Sequence, residues 1–230
     1  MAGGERREMK VTIVGLGMKV QLQQVLPAEI EKRSFEIITE ELGGIQLPPE
    51  QAPIIKRCIH TSADFDYART LTFTHDAVRA GLEALRDGAS IVTDTEMARA
   101  GIHKAAAETL GCRVLCFMGD AEVARQAREA GTTRAQACMD RAAALDGGVI
   151  LAVGNAPTAL VRLYELIQGG TFRPRLIIGV PVGFVNAAES KELILQTDVP
   201  VIAARGRKGG SNIAAAICNA LLYEATGRSL

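Results

Sequence analysis

The sequence predicts an α/β protein: one domain built on a mostly parallel, doubly wound sheet, with extra helices at its N-terminal side. Three observations carry this. Short apolar runs alternate with helix-period segments from residue 71 to the end. The runs lack polar alternation, as strands buried on both faces of a parallel sheet must. Hydrophobic residues make up 48% but aromatics only 4%, with no Trp, so the core has to be aliphatic. At 230 residues there is enough chain to bury such a core.

Each element has its own signal. Residues 10–17 (KVTIVGLG) read as a short strand or extended arm ending in a Gly turn. Pro27 opens a helix in which Ile30, Ser34, Ile37, Ile38 and Leu42 recur at helical spacing and Gly43-Gly44 is the stop. Pro48-Pro49 reads as the opening of a second helix running through Ile54, Ile55 and Ile59 to Ser62. Strands are expected at 71–73, 90–93, 113–117, 149–153, 176–180 and 199–203. Helices are expected at 76–87, in a stretch after Asp94-Thr95-Glu96-Met97 that reaches about Leu110, at 120–130, at 134–145, after Thr158 to Gln168, from about Ala188, and after Asn212.

Composition excludes several functions. Lys+Arg and Asp+Glu both number 26, which argues against a basic nucleic-acid coat and an acidic tail. Cys58, Cys112, Cys116, Cys138 and Cys218 are odd in number and irregularly spaced, so buried thiols in a reducing cytoplasm are expected. No second pair joins Cys112 and Cys116 into a zinc site. The N-terminal residues hold no long apolar stretch of a secretory signal, and no run of about 18 apolar residues suggests a membrane span. Gly15 and Gly17 follow a strand-like run as in nucleotide-binding oxidoreductases, but the third glycine of that fingerprint is missing.

Ligands of open parallel sheets sit beyond the carboxyl ends of the strands. Four segments follow expected strands there: Thr93–Met97, Gly154–Thr158, Pro181–Ser190 and Arg205–Asn212. The last holds three cations and three glycines before a helix, so it is either an anion site or a solvated turn. His60 closes an apolar helix beside polar residues, where it is either a proton donor or a backbone-bonded core histidine. Cys58, two residues away, points to another helix face and makes a poor partner for it. His75 reads as a helix-start residue, and His103 faces either solvent or ligand. Asp64 and Asp66 read as a solvated Asx turn in preference to a Mg²⁺ site. Arg134 at a helix start opposes the helix dipole, which hints at a compensating anion.

The strings RCIHTSADFDY (57–67), DTEMA (94–98), GNAPTA (154–159), GVPVGFVNAAESK (179–191) and RGRKGGS (205–211) resemble the precorrin-8X methylmutases of cobalamin biosynthesis. Arg33-Ser34-Phe35 also fits, and the resemblance runs from about Leu26 to Leu222. The wording HTSADFDY is nearer the anaerobic enzymes, which act on cobalt-precorrin-8. The resemblance implies an isomerase that moves a methyl group from C11 to C12 of a corrin precursor. It implies a homodimer, a polycarboxylate tetrapyrrole substrate, and no redox cofactor or catalytic metal. The family's essential histidine falls on His60, and its pattern puts Ser34 and Arg134 near the substrate. Motif and topology together add Asp94, Glu96, Asn155, Thr158, Asn186, Arg205, Gly209, Gly210 and Ser211 as substrate contacts. Residues 1–25 lie outside the match and are expected to form an arm on the sheet edge or a partner subunit, with residues 26–230 forming the methylmutase-like domain. A non-catalytic tetrapyrrole carrier is the competing reading.

Overall fold

The computed structural model describes residues 10–15 and 18–228. These fall into two compact units, one ending at Gly43 and the other beginning at Gly44. The expected boundary between residues 25 and 26 lies inside the first unit.

In the first unit, β1 (Lys10–Gly15) pairs antiparallel with β2 (Met18–Gln23) in a two-stranded sheet of its own. A second strand, not a helix, therefore follows the Gly15 turn, and the geometry of a dinucleotide fingerprint is absent. Gly17 lies outside the described residues. Among the described residues each strand of this hairpin pairs only with the other. One turn of 3-10 helix at Pro27–Glu29 leads into α1 (Ile30–Leu42), where Gly43 takes a positive φ of 56° and ends the helix.

The second unit is the α/β body. Its elements are α2 (Ala52–Ser62), α3 (Tyr67–Thr70), β3 (Leu71–Thr74), α4 (Ala77–Arg86), β4 (Ser90–Thr93), α5 (Glu96–Gly101), α6 (Lys104–Thr109) and β5 (Val114–Cys116). There follow α7 (Ala121–Ala130), α8 (Arg134–Ala143), β6 (Val149–Val153), α9 (Pro157–Gln168), β7 (Leu176–Gly179), α10 (Ala187–Ile194), β8 (Val201–Ala204) and α11 (Ser211–Ala225). The six strands lie in the order β3-β8-β7-β6-β4-β5, all parallel except β3, which runs antiparallel to β8 at one edge.

The aliphatic composition is used as the pattern foretells. Val149, Leu151, Val153, Ile177, Val201 and Ala203 face a buried layer with Val123, Cys138, Met139, Leu160 and Ile194 of α7–α10. Alternate residues Ile150, Ala152, Ile178 and Ile202 are equally buried and point the other way. On that side α11 packs against α2, α4 and α5. Small residues permit this closeness: a Cβ on Gly81 of α4 would lie 2.9 Å from the Leu176 side chain.

Three boundaries differ from expectation for identifiable reasons. Pro48 opens a turn instead of a helix, its carbonyl accepting the N–H groups of Gln51 and Ala52, and Pro53 takes the helix-start position. The helical stretch expected to reach about Leu110 breaks at Ile102–His103. Asn219 of α11 makes the break possible, since its side chain accepts the His103 N–H at 2.7 Å and donates to the Gly101 carbonyl at 2.9 Å. The segment after Ser62 contains the short helix α3, for which four residues left no periodic signal.

Candidate active site

Strand order reverses between β4 and β6, which makes the carboxyl ends of these strands the switch point of the sheet. Asp94 closes that crevice. It follows β4, is 1% exposed, and its carboxylate accepts the N–H groups of Gly154 at 2.8 Å, Asn155 at 2.8 Å and Ala156 at 2.7 Å. Burial pushes its pKa up, while the three N–H groups pull it down by stabilising the charge. Direct substrate contact was expected of Asp94. Its oxygens are instead taken by the backbone of the next loop, so the residue shapes the site from beneath.

The neighbouring loops interlock. Thr95 caps α5 by accepting the Ala98 N–H at 3.1 Å, and its hydroxyl is 2.7 Å from that of Ser211. A Cβ at Gly154 would lie 2.7 Å from Ser211 Cα, so only glycine lets these two loops touch. Gly210 donates to the Val180 carbonyl at 2.9 Å, and Gly183 donates to that of Arg207 at 3.1 Å. A Cβ at Gly209 would overlap the Val180 carbonyl. The four segments expected to share a rim do share it.

The segment that follows His60 is fastened to the same rim. His60 is exposed in the last turn of α2, whose Cys58 is fully buried with its thiol pKa raised by desolvation. The two residues do point apart, and a buried neutral thiol is no nucleophile. The helix ends at Ala63, which adopts a left-handed φ of 55° and donates to the Ile59 carbonyl at 2.7 Å. Asp64 then makes the expected Asx turn, accepting the Asp66 N–H at 3.0 Å. Both carboxylates also grip Lys208 Nζ, each at 2.6 Å. That partnership lowers the Asp64 pKa and raises that of Lys208. Farther along, the Arg205 N–H donates to the Thr70 carbonyl at 2.9 Å. The segment carrying His60 and the cationic glycine loop are thus bound at two places.

At the other end, Thr133 caps α8 in a capping box with Gln136, and its hydroxyl is 3.0 Å from that of Thr158. This brings Arg134, the first residue of α8, to the Asn155–Thr158 loop. It is exposed, and no carboxylate among the described residues pairs with it. Asn186 is exposed and left-handed, with φ of 58°, where α10 begins. Asn155 is exposed and Ser211 buried. Glu96 is exposed and pairs with Arg99 at 2.8 Å. Arg205 faces Glu192 at 3.6 Å, and Arg207 stacks on exposed Phe184 with 5.3 Å to the ring centroid. Ser34 lies on α1 in the first unit.

The other histidines have local duties. His103 Nδ1 accepts the Ala106 N–H at 3.1 Å, capping α6. His75 precedes α4, its Nε2 lying 3.1 Å from the Thr197 carbonyl. All five cysteines are free. Among the described residues no group of three or more His, Cys, Asp or Glu could hold a metal, and no helix is long and apolar enough to cross a membrane.

Sequence reading missed Lys191. It is 0% exposed, and its ammonium donates to the carbonyls of Gly206 at 2.8 Å and Lys208 at 2.7 Å. A signal existed: Ala187, Ser190, Lys191 and Ile194 fall at i, i+3, i+4 and i+7, a buried stripe with a cation in it.

A rim with an exposed arginine that pairs with no carboxylate among the described residues, and a glycine-built cationic loop, suits a large anionic ligand. The family model for precorrin-8X methylmutase matches residues 29–224. The chain belongs to the precorrin-8X methylmutase family. Its relatives include the cobalt-precorrin-8 methylmutase of Priestia megaterium, 46% identical over 197 residues, covering 86% of this chain and 88% of that one. The cobalt-precorrin-8 methylmutase of Salmonella typhimurium is 45% identical over 206 residues, covering 86% and 95%. The solved precorrin-8X methyl mutase from Thermus thermophilus superposes with a TM-score of 0.80 at 38% identity, covering 88% of this chain and all of that one. Methylmutases are isomerases, and membership makes this chain one.

Proposed function

We propose that the chain moves a methyl group from C11 to C12 of precorrin-8X or cobalt-precorrin-8, giving hydrogenobyrinate or cobyrinate on the route to cobalamin. Substrate and product are isomers, so the reaction needs positioning and charge management more than a nucleophile. His60 is the proton donor or hydrogen-bond partner of the macrocycle, an effect worth roughly 10²–10⁴-fold. The single observation that carries this reading is the fastening of the His60 segment to the cationic loop by Lys208, Asp64 and Asp66. It supports a site in which the imidazole works with the cations of that loop.

Arg134, Arg205 and the N–H groups near Gly209, Gly210 and Ser211 receive the acetate and propionate arms. Asn155, Thr158 and Asn186 add polar contacts along the rim, and Glu96 stands at its edge. Asp94 acts one step back, through the loop it holds. Holding a rigid macrocycle in one geometry supplies much of the remaining acceleration. Met97, Val182, Phe184 and Val185 are exposed apolar groups on the same rim, with Phe184 84% exposed. They support a homodimer formed near the site, because exposed large apolar side chains favour burial against a partner.

Turnover of both substrates by the wild type and by His60→Ala tests the reading. Multiple turnovers lost in the variant support it. An unchanged rate removes His60 from the mechanism, and retention of one product equivalent without turnover by the wild type favours the carrier. The substrate that turns over faster fixes the cobalt-containing or cobalt-free branch.

A further inference from the structure

We propose that Lys191 is a positioning residue that sets His60 through Lys208, by way of Asp64 and Asp66. The inference rests on the reading of His60 given above. Lys191 lies on α10 and is fully buried. A buried cation costs several kcal/mol unless something specific holds it. Here two main-chain carbonyls do, those of Gly206 and Lys208, which flank Arg207.

The consequence is mechanical. Pinning both carbonyls to one ammonium fixes the backbone from which the Lys208 side chain departs. Lys208 Nζ then reaches Asp64 and Asp66, the residues just after the helix end that bears His60. Ala63 holds a left-handed conformation between them, so the helix end has a specified exit and little slack. Three lysines and arginines crowd this loop around a fourth buried cation. Asp64, Asp66 and Glu192 offset them, which favours one arrangement of the pairs.

The test follows the imidazole itself. With three histidines in the chain, His60 can be assigned by its loss in His60→Ala, and its ring resonances followed by NMR. Lys191→Met and Lys208→Met are expected to move the His60 resonances while leaving those of His75 and His103 in place. Each lowers kcat roughly tenfold to a hundredfold. Lys208→Arg restores most of the loss, and the double variant falls no further than the worse single one. Unmoved His60 resonances, or losses that multiply in the double variant, overturn the relay. Lys208 is exposed, so its variants carry the test even where Lys191→Met fails to fold. Should His60→Ala retain full turnover, the catalytic reading fails, while the resonances still decide whether the relay exists.

Discussion

Asp94 and Gly154 are joined by a 2.8 Å hydrogen bond across the switch point of the sheet, from the glycine N–H to a carboxylate with 1% exposure. Two more N–H groups, those of Asn155 and Ala156, complete the carboxylate's partners. The bond ties two strands that are neighbours in the sheet but 60 residues apart in the chain.

Asp94→Asn is therefore expected to destabilise the protein by about 2–4 kcal/mol. The amide nitrogen would face N–H groups it cannot accept from, leaving buried donors unsatisfied. Urea unfolding monitored by circular dichroism measures this. A loss below about 0.5 kcal/mol would show that the triple bond adds little.

Gly154→Ala is expected to cost about 1–3 kcal/mol, because its methyl carbon would meet the backbone of Ser211, which no rotamer can relieve. Activity should fall together with stability, since the displaced loop carries Asn155 on one side and Ser211 on the other. Thermal unfolding and steady-state kinetics on the same preparation check both halves.

Lys191 gives the stability a sign with pH. Burial lowers its pKa to about 8 from the ordinary lysine value of 10.5. Between these values the unfolded chain holds a proton that the folded chain has released. Stability should therefore rise with pH across this window, and the full cost of the buried cation is present below pH 8. The rise is on the order of 3 kcal/mol at most. The neutral amine keeps two N–H groups for the two carbonyls, so the loop stays pinned. Comparing wild type with Lys191→Met in urea from pH 7 to 10.5 isolates the effect; parallel curves would refute it.

Arg134→Gln is expected to raise KM about tenfold or more with little change in melting temperature, as an exposed cation without a carboxylate partner contributes little to folding. A change confined to stability would place Arg134 outside the substrate site.

Much of this was legible beforehand because the core obeys a simple pattern. Runs such as Val149–Val153 and Leu176–Gly179 can only be strands buried on both faces, and once they are parallel their following loops share a rim. What stayed hidden depends on distant partners. Nothing near His103 in sequence says that Asn219 will interrupt a helix there. Nothing near Asp94 says that its carboxylate will be taken by amides of another loop. The edge strand Leu71–Thr74 is antiparallel because α2 and α3 deliver it from the rim side, a matter of chain path that its four residues do not encode.

The interlocked glycines divide the rim into what can evolve and what cannot. Gly154 meets the backbone of Gly210 and Ser211, and Gly209 meets that of Val180 and Pro181, so nearly every substitution at these glycines disturbs two loops at once. Met97, Phe184, Val185 and Arg207 border the same space yet are exposed. A laboratory effort to accept a macrocycle with altered arms should diversify these four positions and leave the glycine scaffold intact. Variation among natural relatives with different substrates should concentrate there for the same reason.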